Sequence, residues 1–496
     1  MDREVARILS ELQRQGVTPR GLAADSRAIA RGEVFLAYPG ERTDGRRFVA
    51  DAVARGAAAV VWERDGFAWP TEIALPNLAA SGLKALAGPL AAEFYGRPSE
   101  RLWVAGVTGT NGKTSCSQWI AQALAGEGRK SAVVGTLGLG YPGELEENPN
   151  TTPDAVALQR ALARFVDDGA QAVAMEASSI GIDQGRVEGV KFACALFTNL
   201  SRDHLDYHGD MERYAQAKIR LFRSPGLAHA VLNLDDALGV RIAQDRAGSG
   251  TSRTGYTLWP GTGAASGLEH WLEAHDLELS SAGARFTLVT NAGRAEVATA
   301  LVGRFNVANV LGVIGVLLAA GLSLDAAVRA AGRLEPPSGR MERLGGGDRP
   351  LVVVDYAHSP DALDKCLGAL RDVARGQGAG RLISVFGCGG DRDRGKRPQM
   401  GEAASRHADL VWLTSDNPRG EDPLAIIGEI RPGVSVPHEV RVDRRDAIRE
   451  AIAAARAGDV VLLAGKGHEP YQEVAGRRVP FSDADEARAA LAGWKP

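Results

Sequence analysis

Residues 102–114 read LWVAGVTGTNGKT. The run from Leu102 to Val107 is apolar and rich in β-branched and aromatic side chains, the composition of a buried strand. Gly109-Thr110-Asn111-Gly112-Lys113-Thr114 follows, and then a helical pattern of Trp119, Ile120, Ala123 and Leu124. Strand, glycine loop and helix are the setting of a phosphate-binding loop, in which backbone N–H groups converge on phosphate oxygens at a helix N-terminus. Lys113 can reach the β- and γ-phosphates, and the Thr114 hydroxyl can ligate Mg²⁺. The general motif, G-x-x-x-x-G-K-S/T, wants a glycine where this chain has Val107. The stretch is nonetheless expected to bind a nucleoside triphosphate.

The 496 residues allow three domains, at roughly 100–200 residues each. A hydrophobic content of 45% and a charged content of 24% describe a soluble globular protein. The net charge of −3 gives no electrostatic case for a nucleic-acid or membrane partner. Cys116, Cys194, Cys366 and Cys388 are scattered and form no C-x-x-C pair, which suits a reducing cytoplasm without structural disulfides or zinc. The N-terminal MDREVARILSELQRQG is an amphipathic helix and not a signal peptide. The apolar stretch Val307–Leu324, broken by Asn309, Gly312, Gly315 and Gly321, is expected to be a buried core helix.

Residues 1–100 are expected to form a small α/β domain, with strands at Gly32–Ala37 and Ala57–Trp62 and a turn or cap at Asp25-Ser26-Arg27. Residues 101–338 alternate strands and helices as a parallel sheet does. Within them, Glu176 ends a strand beside the phosphate loop and is a candidate Mg²⁺ ligand, or else a lone glutamate. The strand Ala193–Phe197 runs into a loop holding Arg202, Asp203, His204 and Asp206, where His204 could bind metal. In Met211–Phe222 the apolar stripe of Met211, Tyr214 and Leu221 also contains Lys218. That lysine either snorkels or is a desolvated amine that does chemistry or accepts a modification. Asn306 and Asn309 share a helix face and could cap the helix or bind a base or phosphate. The segment Gln244–Gly267, rich in Gly, Ser and Thr, is expected to be irregular.

Glu335-Pro336-Pro337-Ser338-Gly339 reads as a linker into a third domain, 339–496. There, apolar strands end in Asp355-Tyr356-Ala357-His358, Gly387-Cys388-Gly389-Gly390, Ser415-Asp416-Asn417-Pro418-Arg419 and Ala464-Gly465-Lys466-Gly467-His468-Glu469. Four polar loops on one sheet edge mark a substrate site, and an acid at a strand end, such as Asp355, suits a ribose hydroxyl.

These motifs, in this order and over essentially the whole chain, resemble the Mur ligases, ATP-dependent amide-forming enzymes of peptidoglycan precursor synthesis. TGTNGKT at 108–114 is that family's form of the phosphate loop, which accounts for Val107. The resemblance implies an α/β fold of three domains: a small N-terminal domain for a UDP-sugar peptide, a central P-loop ATPase domain and a C-terminal Rossmann-like domain for an amino acid. It implies ATP on Gly109–Thr114, Asn306, Asn309, Arg340 and Asp355, and Mg²⁺ on Thr114, Glu176, His204 and Lys218, the last as a carbamate formed from CO₂. Lys113, Lys218, His204 and Arg340 are then the catalytic set. The UDP-sugar peptide would contact Ser26, Glu41, Arg42, Thr43, Asn150, Thr151, Thr152, Ser178, Gln184 and Arg186. Asp416-Asn417-Pro418-Arg419 matches the signature of the diaminopimelate-adding branch, with Arg392, Gly465 and Glu469 completing the pocket. A guanidinium fork suits the distal carboxylate of diaminopimelate. Ile180 departs from the histidine of many relatives.

The implied reaction joins meso-diaminopimelate to the D-glutamate γ-carboxylate of UDP-N-acetylmuramoyl-L-alanyl-D-glutamate through an acyl phosphate. The enzyme would be a cytoplasmic monomer acting on small molecules, with the third domain closing about the Pro336-Pro337 linker. The rivals are a lysine-adding ligase, a folylpolyglutamate synthase-like ligase and a non-catalytic nucleotide switch.

Overall fold

The computed structural model describes residues 2–41, 43–245, 250–280, 282–376 and 380–495. The loop from Gly109 begins where Trp103–Thr108 ends, and that strand runs parallel between Cys194–Phe197 and Ala172–Glu176. Register pairs Thr108 with Phe197 and Val107 with Glu176, so three strand ends present their loops side by side. The helix Lys113–Gly126 leaves the loop and packs with Arg304–Ala319 on one face of this sheet, where Val107, Trp119, Ile120, Val310 and Ile314 form the core. Being covered on nearly every side, Arg304–Ala319 can be apolar around most of its circumference.

The central sheet has eleven strands among the described residues. Its parallel middle agrees with the sequence pattern, but its two flanks do not. Ser131–Gly135, Gly138–Tyr141 and Glu144–Glu146 run antiparallel at one edge, and His270–Ser280, Gly283–Thr290 and Gly293–Thr299 form an antiparallel meander at the other. The segment expected to be irregular holds the strand Ser252–Thr257 and the short helix Thr262–Ala265, while 246–249 lie outside the described residues. Ser252–Thr257 is sandwiched between parallel neighbours, and that context overrides its weak pattern. The long buried helix stops at Ala319, earlier than expected, and a second helix begins at Leu324.

The N-terminal domain is a four-stranded parallel sheet. The third domain has a six-stranded sheet in which Leu351–Asp355, Val460–Ala464, Leu382–Phe386, Leu410–Leu413 and His438–Val440 lie parallel in that order. All four polar loops therefore leave the same edge. The Trp119 indole donates to the Glu335 carbonyl at 2.8 Å, which ties the start of the linker to the phosphate-loop helix. Among the described residues no helix is long and apolar enough to cross a membrane.

Candidate active site

A cleft of about 710 Å³ lies between the central and third domains. It gathers Thr110, Asn111, Gly112, Lys113, Thr114, Thr151, Glu176, Ser178, His204, Lys218, Asn309, Arg340 and Asp355 of the residues singled out from sequence. Gly112 has φ of 86°, and a Cβ there would lie 2.7 Å from Asn309 Oδ1, so this backbone bend and close approach need glycine.

At the floor, Glu176 is 1% exposed. Its Oε2 accepts from the hydroxyls of Thr114 and Thr136, both at 3.1 Å, and its Oε1 accepts the Thr136 N–H at 2.7 Å. A Cβ on Gly135 would lie 2.3 Å from Oε1, so the carboxylate depends on that glycine for room. Hydroxyl and carboxylate oxygens this close are a hard donor pair that fits Mg²⁺, which takes one or two protein oxygens and fills the rest with water and phosphate. Among the described residues no three His, Cys, Asp or Glu side chains form a closed metal cage.

Lys113 Nζ donates to the carbonyls of Gly109 and Thr110 at 2.9 and 2.8 Å. Lys218 is 1% exposed; its Nζ donates to the Gly109 carbonyl at 2.8 Å and lies 4.2 Å from the Tyr214 ring centre. Burial, followed by the nearby Lys113 ammonium, pushes the Lys218 amine well below its ordinary range. Of the two readings of this lysine, snorkelling is excluded.

His204 adopts a left-handed backbone with φ of 53°, strain of the kind that costs about 1 kcal/mol or more and collects at functional sites. Burial of its inner face pushes the imidazole down against the pull of Asp203, although 43% of the side chain is exposed and solvent limits that push. Burial alone would raise Asp203, but His358 and His204 hold it down at about 2.

The third domain reaches into this floor. Arg340 Nη2 donates to the Thr114 hydroxyl at 3.1 Å, and its guanidinium lies 4.4 Å from the Tyr356 ring centre. Asn111 donates to Asp361 across the cleft at 2.9 Å. Asp355 is occupied within the protein: Oδ2 accepts the Met341 N–H at 2.8 Å, Oδ1 takes the Cys366 thiol, and burial pushes its carboxyl up. Here it holds the linker rather than standing free for a ribose. Asn306 bonds back to the Val302 carbonyl at 2.8 Å, which ties down the helix start, whereas Asn309 faces the phosphate loop.

Three other groups extend beyond the cleft, the first of them from its Ser178 wall. Thr152 and Ser178 hydroxyls are 2.9 Å apart, Ser178 caps the helix Ser179–Asp183, and Arg186 bonds both Gln184 and the Thr152 carbonyl. Ser26 is buried in the N-terminal domain, Glu41 pairs with Lys84 at 2.7 Å, the Thr43 carbonyl accepts the Gly40 N–H, and Asn150 is exposed. Arg42 lies outside the described residues.

The third group is the acceptor edge. Glu469, expected to complete the pocket, already has an ammonium beside it: Lys466 Nζ lies 3.0 Å from Oε2, and the Asn417 amide donates to the same oxygen at 2.8 Å. Lys466 also donates to Asn417 Oδ1 at 3.0 Å. Gly465 abuts Asp416, Arg419 donates to the Gly390 carbonyl, and Arg392 is exposed. Behind them the fully buried Arg444 and Asp483 pair at 2.6 Å, and Arg444 also donates to the Ala464 carbonyl. Sequence reading missed Thr136, which bonds both Glu176 oxygens, and no local pattern announces it. Lys466 was visible as a lysine amid glycines, with Glu469 three residues on, but its other partner, Asn417, comes from a distant loop.

Comparison with known proteins follows the same division. The profiles described as Mur ligase family, catalytic domain, as Mur ligase middle domain, and as Mur ligase, glutamate ligase domain match residues 19–93, 107–317 and 339–467. The chain is 52% identical over 95% of its length to a UDP-N-acetylmuramoyl-L-alanyl-D-glutamate–2,6-diaminopimelate ligase of Janthinobacterium sp. (strain Marseille), covering 94% of that protein. It is 50% identical over 97% of its length to the protein of that name from Ectopseudomonas mendocina (strain ymp), covering 96% of it. A solved structure of a protein of that name superposes with a TM-score of 0.67 at 39% identity, covering 96% of this chain and 95% of the other.

Proposed function

The chain belongs to the Mur ligase family, and from that premise we propose that it adds meso-2,6-diaminopimelate to UDP-N-acetylmuramoyl-L-alanyl-D-glutamate with consumption of ATP. The observation that carries the reading is the meeting of Arg340, Thr114 and Glu176 at one hydroxyl in a chain that also holds Asp416-Asn417-Pro418-Arg419. The first brings a cation of the third domain to the triphosphate site. The second supplies a guanidinium for an acceptor with a distal carboxylate.

Thr114 and Glu176 would hold one Mg²⁺, and His204 with a Lys218 carbamate would hold a second. When bound, such ions neutralise charge on the transferring phosphoryl group. Carbamate formation needs a neutral amine, whose nitrogen bonds to the CO₂ carbon and then releases a proton. A lysine held below its ordinary range supports that modification. On ATP binding, Lys113 exchanges the carbonyls of Gly109 and Thr110 for phosphate oxygens, and Arg340 lies beside them. The D-glutamate γ-carboxylate attacks the γ-phosphorus and ADP leaves. The acceptor amine then attacks the acyl carbon, loses a proton and expels phosphate. Positioning and charge neutralisation supply most of the acceleration.

Thr151, Thr152, Ser178, Gln184 and Arg186 would bind the nucleotide-sugar peptide with Ser26, Glu41 and Thr43. Asn306, Asn309 and Asp355 would support the ATP side by shaping the helix start and the linker. The enzyme would work in the cytoplasm as a monomer, its three domains dividing near 100 and 338. Phosphate release from ATP with the UDP-sugar dipeptide, meso-diaminopimelate or L-lysine, and product mass, tests the reading. Turnover with diaminopimelate and little with lysine is expected. Silence with both overturns it.

A further inference from the structure

The hairpin of Tyr471–Val474 and Arg477–Pro480 stands apart from the domain sheets, as a two-stranded sheet of its own. Its contacts converge on Arg419. That residue has φ of 51°, a left-handed conformation that is costly for a non-glycine residue. The hairpin holds it there from both sides. The Arg419 N–H donates to the Glu473 carbonyl at 3.0 Å, and the Arg419 carbonyl accepts the Ala475 N–H at 2.7 Å. The side chain meets the same strand: Nε lies 3.2 Å from Glu473 Oε2, while Nη1 donates to the Gly390 carbonyl at 2.9 Å. Arg419 is 23% and Glu473 33% exposed, so the pair is reached by solvent and open to exchange, not sealed in the core.

We propose that Glu473 is a specificity-determining residue that competes with the acceptor's distal carboxylate for the Arg419 guanidinium. The proposal rests on the reading of Arg419 given above. A guanidinium edge takes one carboxylate in bidentate geometry, and Glu473 already stands at Nε. With Nη1 on the Gly390 carbonyl, an acceptor whose distal carboxylate takes the Nε edge displaces it. An acceptor without one leaves the internal pair intact and strands no charge. Rejection of a wrong partner depends on a penalty such as an unpaired buried charge, and Glu473 removes that penalty. The chain therefore discriminates against lysine less sharply than Arg419 alone would permit.

The test is kcat/KM of the full chain and of Glu473→Gln for meso-diaminopimelate and for L-lysine. In the variant, KM for diaminopimelate falls and lysine turnover does not improve. The preference ratio rises about threefold to tenfold, the scale of a partly exposed ion pair. Glu473→Ala moves it in the same direction. In an Arg419→Ala background, Glu473→Gln leaves the ratio unchanged. A ratio that stays level or falls in Glu473→Gln overturns the proposal and makes Glu473 a support for Arg419 instead. A change in the Arg419→Ala background overturns it too. If the unmodified chain turns over neither acceptor, the functional reading fails and takes this proposal with it, an outcome separate from turnover with an unmoved ratio.

Discussion

Lys113 and Lys218, at the phosphate-loop end of the molecule, donate to the backbone carbonyls of Gly109 and Thr110. At the acceptor end, Lys466 is seated on Glu469, Arg444 on Asp483, and Arg397 on both Glu421 and Glu429. Carbonyl dipoles satisfy the donors of a buried ammonium without cancelling its charge, whereas a carboxylate does both. At the first end the two lysines thus have hydrogen-bond acceptors but no carboxylate bonded to them, and for Lys113 a triphosphate supplies the missing negative charge. The other is assembled in advance, which suits a zwitterionic acceptor that brings its own charges in balance. Binding energy at the first end comes from neutralisation, and at the second from preorganised geometry.

The contrast can be broken most directly at Lys218. Lys218→Ala is expected to lower phosphate release by about 10⁴-fold, close to about 5.5 kcal/mol of transition-state stabilisation. A short-chain carboxylic acid in the buffer should restore part of it if the carbamate is the active form. Unchanged turnover would remove Lys218 from the mechanism.

Arg444→Met leaves Asp483 buried without its partner, and chemical denaturation should show a loss of about 4 kcal/mol. A loss below about 1 kcal/mol would mean that the acceptor end is not braced by its ion pairs.

Stability should move the other way at the phosphate end. Lys218→Met removes a desolvated amine and should stabilise the ligand-free chain by about 2 kcal/mol while abolishing turnover. Its pH dependence has a definite sign. The folded Lys218 amine lies below its ordinary value of 10.5, so between those two values the unfolded chain binds the proton more readily. Stability of the unmodified chain therefore rises with pH through that window and levels off above it. The advantage of Lys218→Met should shrink as urea titrations are carried from neutral pH upward. An advantage that grows with pH would refute the assignment.

The smallest effect is expected at Arg419. Arg419→Lys keeps the charge but loses the fork, so KM for diaminopimelate should rise about tenfold, near 1.4 kcal/mol, with kcat little changed. A fall in kcat with KM unmoved would instead place Arg419 in the chemical step.

Much of this was legible in the chain because it is local. A strand, a glycine loop and a helix occupy consecutive residues, so Trp103–Thr108 and Lys113–Gly126 follow from composition and spacing. Lys218 stood out because helical periodicity put it among Tyr214 and Leu221. The antiparallel flanks were not legible, nor was the strand Ser252–Thr257, since pairing there depends on neighbours far along the chain. The linker was visible in Pro336-Pro337, but that it brings Arg340 to Thr114 was not.

By itself, then, the sequence determined the strand and helix around the phosphate loop, the loop itself, the odd lysine and the family likeness, all carried by short-range pattern. Tertiary structure decided the partners: that Thr136 bonds Glu176, that Asp355 is spent on the linker, that Asn417 bonds both Lys466 and Glu469 and that Glu473 stands on Arg419. The physical reason is that a charge's effect depends on what lies within a few ångströms of it, and residues that close in space are seldom close in the chain.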